Sequence, residues 1–192
     1  MSFSELPKDP TVGEVFKFLI THPSKIVTER WNWKAATLSG IMRGSIYFFT
    51  HISLGLRAAI SAMSVEFVFR ALNSGVSASI AQSFRKAKPK WLATICVMGM
   101  LPAYGHIVEY TIHTISGDQN RNKSILISIA FSILSALFNL FMMRRGTLIV
   151  NDPQQKSFGS DLKSMPVLGI QFVALPFVWL YRKAKKGVSL II

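Results

Sequence analysis

Residues 91–115 read WLATICVMGMLPAYGHIVEYTIHTI, an apolar run set between the basic segment 85–90 and the polar turn 116–123. A hydrocarbon core of roughly 30 Å takes about 20 mainly apolar residues in helical form, so this run predicts a transmembrane helix, with Pro102 as its kink. Its far end carries His106, Glu109 and His113. Ionisable groups are expensive in or near lipid, and for that reason they point to function.

The flanking sequence repeats the pattern. Residues 35–53 and 54–72 predict two further spans joined by a tight turn near 53–55, because one helix of nearly 40 residues would overshoot the core about twofold. Residues 73–84 are small and polar, and either extend the second helix or form a surface turn. A fourth span is expected at 124–143, ending at Arg144 and Arg145. Residues 165–181 are apolar too, but Pro166, Gly169, Gln171 and Pro176 interrupt them, which suggests a re-entrant or interfacial element, with a fifth crossing as the competing reading. The predicted architecture is therefore all-α: a multi-pass transmembrane bundle of about four spans, or five, over 35–192. Residues 1–34 precede it as a cytoplasmic or interfacial segment.

Within that segment, Thr11 and Glu14 have capping-box spacing and Pro23 stops the run. Val12, Val15, Phe16, Leu19 and Ile20 gather on one face, as expected of an amphipathic helix lying in the membrane interface. Trp31 and Trp33 beside Lys34, Trp91 beside Lys90, and Trp179 with Tyr181 beside Arg182 read as aromatic belts.

Composition agrees. Half of the 192 residues are hydrophobic and 16% are charged, which is far from the usual balance of a soluble domain. A net charge of +13 raises nucleic acid as a partner. Position excludes that reading: seventeen of the 22 Lys and Arg lie in 8–34, 85–90, 144–163 and 182–186, each beside an apolar stretch. Cytoplasmic loops carry such an excess, and basic loops beside a bilayer meet anionic headgroups. The expected location is the bacterial inner membrane with the N-terminus in the cytoplasm. If 165–181 crosses, 182–186 lands outside, against the charge rule. The opening MSFSELPKDP has neither a basic n-region nor an apolar h-region, so no cleavable signal peptide is expected. The single cysteine, Cys96, excludes an intramolecular disulfide.

Inside the bundle, Gly40 and Gly44 have the small-xxx-small spacing that lets helices approach closely in lipid. Ser128, Ser132, Ser135 and Asn139 form a polar stripe on the fourth helix. Lipid offers such groups no partner, so they are expected to face other helices. Arg43 and Glu66 fall at similar depths, about 14 and 12 Å from the inner surface, which predicts a buried ion pair, since an unpaired charge there is costly. His51 and His106 share the outer third. With Arg57, Glu109 and His113 they make an outer polar cluster. His51, His106 and Glu109 are the candidate ligands for a metal, and imidazole with carboxylate suits zinc or iron.

No Gly-rich phosphate loop, Asp-rich motif or Gly-x-Ser-x-Gly elbow occurs. The sequence thus predicts a non-enzymatic subunit, scaffold or assembly factor that meets lipid and other membrane-protein subunits. Two alternatives stay open: an intramembrane metal-dependent or acid–base enzyme using His51, His106, Glu109 and His113, and a small transporter or channel with a serine-lined path.

Overall fold

The computed structural model describes the backbone of residues 6–115 and 121–188, and within them the side-chain surroundings of 6–103, Ile129 and 132–181. Seven α-helices occur among these residues: α1 Val12–Thr21, α2 Pro23–Thr28, α3 Trp33–His51, α4 Leu56–Phe84, α5 Lys90–Ile115, α6 Arg121–Arg144 and α7 Phe158–Val188. No strand is present among them.

α1 starts where its capping box dictates. The Glu14 amide donates to Thr11 Oγ1 (3.2 Å), and the Thr11 amide and hydroxyl donate to the Glu14 carboxylate at 2.7 and 2.9 Å. α3 and α4 are antiparallel, joined by a 3₁₀ turn at Ile52–Leu54 and by Gly55 at φ +105°, a left-handed value that glycine adopts without strain. Gly40 and Gly44 let the two helices touch. A Cβ at Gly40 would stand 2.9 Å from the Phe67 ring, and one at Gly44 would stand 3.3 Å from Met63 Cγ.

α4 is 29 residues long against 19 for α3, so its last third runs past the start of α3. That overhang, the small and polar stretch 73–84, is neither a surface turn nor peripheral. Gly75, Ala78, Ser79, Ala81, Gln82 and Phe84 are all buried. Small side chains leave a shallow groove, and three elements fill it. Val12, Val15, Phe18 and Leu19 of α1 enter from one side; Ala93 and Val97 of α5 and Leu140 and Met143 of α6 enter from others. The stripe of α1 expected to face the membrane interface therefore packs against protein instead. It is covered by the protein's own core, with Phe16 edge-on to Phe84 at 5.4 Å, and only Ile20 is left at 75% exposure.

The remaining apolar surface faces outward. Ile41, Ile46 and Phe49 on α3 and Leu56, Val65 and Leu72 on α4 are exposed. α7 runs unbroken for 31 residues through Pro166 and Pro176. A re-entrant element needs a reversal, and α7 contains none. Among the described residues, Phe158–Tyr181 of α7 is the one helical stretch long and apolar enough to cross a membrane, and Lys90–Ala103 and Ser132–Arg144 are shorter apolar helices. α3 and α4 fall short because each mixes charged and polar residues into its apolar run.

Candidate functional site

Two of the expected site residues, Glu66 and His51, find their partners within their own helices. Glu66 is buried and ion-paired, but its partner is Arg70, one turn along its own helix at 2.6 Å, rather than Arg43. An i,i+4 neighbour needs no second helix to reach it, and Phe67 and Met63 occupy the seam beside Gly40 and Gly44. His51 turns back on its own helix: its Nδ1 lies 2.9 Å from the Tyr47 carbonyl oxygen, and its ring stacks on Tyr47 at 5.8 Å. Arg57 is exposed one residue past the start of α4. The side chains of His106, Glu109, His113 and Ser128 lie outside the described residues, so the outer cluster and the His51–His106–Glu109 metal set do too. Ser132, Ser135 and Asn139 are half-buried along α6. Among the described residues no group of three His, Cys, Asp or Glu side chains gathers to hold a metal.

The polar chemistry concentrates at the opposite end, where α3 and α7 begin and α4 and α6 finish. Asn32 is fully buried there as the N-cap of α3. Its Oδ1 accepts from the Ala35 amide (3.0 Å), while its Nδ2 donates to Gln82 Oε1 (3.0 Å) and the Leu148 carbonyl (2.8 Å). Gln82 answers the backbone of the α6–α7 loop as a strand would. Its Nε2 donates to the Val150 carbonyl at 2.7 Å, and its Oε1 accepts from the Val150 amide at 3.1 Å. Leu148 is held at φ +57°, an unusual conformation for a branched residue. Its carbonyl serves Asn32 while its side chain is 2% exposed. The packed surroundings impose the strain.

Two ion pairs complete this knot. Lys34 and Asp161, both with side chains at 0% exposure, meet at 2.7 Å, and Lys34 Nζ also donates to the Lys156 carbonyl. They tie the first turn of α3 to the first turn of α7. Arg85 donates to Asp152, with Lys86 Nζ 3.9 Å away. Burial pushes the Asp152 carboxyl up. The Gln154 amide, Arg85 and Lys86 together outweigh that and hold it below its ordinary value. Arg144 ties α6 to α5 by donating to Thr94 Oγ1 (2.9 Å) and the Lys90 carbonyl (3.0 Å).

Beside Arg85 and Asp152 lies an open cavity of about 190 Å³, lined on its polar side by Lys8, Gln82, Ser83, Arg85, Lys86 and Asp152 and on its apolar side by Pro7, Pro10 and Pro153. The Val12 amide donates to the Lys88 carbonyl (3.2 Å) and the Lys88 amide to the Pro10 carbonyl (2.8 Å), which fixes the N-terminal segment against the α4–α5 corner as one wall.

The sequence reading missed this knot. Lys34 read as a belt lysine, and Asn32, Gln82 and Asp161 drew no attention. The available signal was scarcity: the chain has nine acids, and Asp152 and Asp161 bracket the last loop before α7. In so basic a protein, acids beside apolar helices are expected to be paired. No protein-family model, curated protein or solved structure matches the chain.

Proposed function

We propose that this chain is a small multi-pass integral membrane protein of a bacterial inner membrane, acting as a non-enzymatic subunit, scaffold or assembly factor, with its N-terminus and polar knot in the cytoplasm. One observation carries the reading. The most apolar stretch of the helix Phe158–Tyr181 is only 6% buried within the chain. Its uncovered residues include Ile170, Val173 and Phe177, and α3 and the turn after it add Phe49 and Leu54, each 72% exposed. Water tolerates continuous apolar patches of only a few hundred Å² on a monomer, so lipid or partner helices must supply the cover. In this reading α3 to α6 are four crossings. α7 begins at the same end as α3, through Lys34 and Asp161, and makes a fifth.

The scaffold reading is supported by how the polar groups of the knot are employed. Asn32, Lys34, Gln82, Arg144 and Asp161 all bind other parts of the chain. Together they hold helices in place at one end and leave apolar faces free at the other.

Fractionation tests the reading. The protein should remain in membranes through an alkaline carbonate wash, and mild-detergent purification should retain a second membrane protein in fixed ratio. Recovery from the soluble fraction as a monodisperse, detergent-free protein would refute membrane residence. A monomer carrying only lipid would refute the subunit role.

A further inference from the structure

We propose that the cavity at the α4–α5 corner binds a phosphoryl anion: the phosphomonoester headgroup of a lipid, or free phosphate. This rests on the cavity itself, and only the lipid source depends on the membrane reading above. The cavity's roughly 190 Å³ is ample beside the ~10–15 Å³ that admits one water. Its charges do not balance. Lys8, Arg85 and Lys86 face a single carboxylate, that of Asp152.

Arg85 and Asp152 satisfy each other, their side chains both 6% exposed, so the remaining positive charge belongs to Lys8 and Lys86. Lys86 Nζ stands 3.9 Å from Asp152, beyond hydrogen-bond reach. Among the described residues, no acid lies within ion-pair distance of Lys8. Neither ammonium group is hydrogen-bonded to an acid among the described residues, and both lysines line the one cavity.

Charge selects the ligand. A phosphomonoester carries about −1.5 to −2 near neutral pH, which matches two ammonium groups, whereas a carboxylate brings one charge. A zwitterionic headgroup brings its own cation and gains less. The backbone that carries the donors is held in place: Lys8 lies two residues before Pro10, whose carbonyl the Lys88 amide fixes, and Lys86 follows the buried Arg85. Pro7, Pro10 and Pro153 present apolar surface beside the ammonium groups, where the first carbons of an ester can lie.

The test uses the full chain in detergent, titrated separately with inorganic phosphate, short-chain phosphatidic acid and short-chain phosphatidylcholine, with bound ligand read by native mass spectrometry. One equivalent of phosphatidic acid or phosphate should bind saturably. Lys8→Gln with Lys86→Gln should weaken that binding by about tenfold or more. Lys17→Gln with Lys163→Gln, which removes the same charge from exposed positions elsewhere, should leave it unchanged.

Phosphatidic acid binding without phosphate binding assigns the site to lipid. Binding of inorganic phosphate alone assigns it to a soluble anion. Failure of both to bind, equally tight phosphatidylcholine, or equal loss in the two double variants overturns the proposal. A carbonate-resistant membrane protein that binds neither anion overturns this site alone, while a soluble one that binds phosphate overturns only the membrane reading.

Discussion

Lys34 and Asp161 lie 127 positions apart in sequence and meet with both side chains fully enclosed. Removing one member leaves the other charged and buried, a change that costs about 3–5 kcal/mol, whereas replacing both with apolar residues is close to neutral. Lys34→Met should therefore lower the unfolding free energy in detergent by that amount, and Lys34→Met with Asp161→Leu should restore most of it. Glu66 behaves differently, being paired with Arg70 one helical turn away. A double-mutant cycle should give a coupling of about 0.5 kcal/mol between Glu66 and Arg70, and none between Glu66 and Arg43. The depth argument placed Arg43 and Glu66 at one level, and level alone does not choose a partner. Acid stability follows from Asp152. A carboxyl whose folded pKa lies below its unfolded value contributes stability that is present above the unfolded value and lost as pH falls through the folded one. For Asp152 that loss begins near 3.8 and continues downward. Asp152→Asn should flatten the acid limb of stability below that pH, followed by unfolding in detergent.

At the scale of elements, periodicity and punctuation were legible in the sequence. The capping box set the start of α1, and Gly55 set the α3–α4 turn. What periodicity does not carry is which surface meets which. The face of α1 suited lipid and protein equally well, and the small residues of 73–84 suited a surface turn as well as a groove. Their burial follows from an overhang that only the relative lengths of α3 and α4 create. Gly75 marks the closest approach. A Cβ there would lie 1.9 Å from the Trp31 indole nitrogen, and the Gly75 carbonyl accepts from the Asn32 amide at 3.2 Å. Gly75→Ala should displace Trp31 and destabilise the knot by about 1–3 kcal/mol. Gly99, mid-helix on α5, has nothing within 4 Å of its Cβ position. Gly99→Ala should instead stabilise by up to about 1 kcal/mol, since alanine favours helix. The same unfolding assay reads both signs.

Across the whole molecule, a polar knot closes one end while α3, α4 and α7 carry uncovered apolar surface away from it. Thirteen Lys and Arg cluster at the knot end, in 8–34, 85–90 and 144–163, and outweigh the four of 182–186 beyond α7's apolar stretch, so the knot end should face the cytoplasm and the α3–α4 turn should face outward. Single-cysteine labelling in intact cells tests that claim most directly, in a Cys96→Ala background with a membrane-impermeant thiol reagent. Ser53, in the outer turn, and Gln154, in the loop leading to α7, are both exposed. Ser53→Cys should label in intact cells, and Gln154→Cys only after permeabilisation. Labelling of Gln154→Cys in intact cells, or protection of both until the cells are opened, would contradict a membrane-crossing chain with its knot inside.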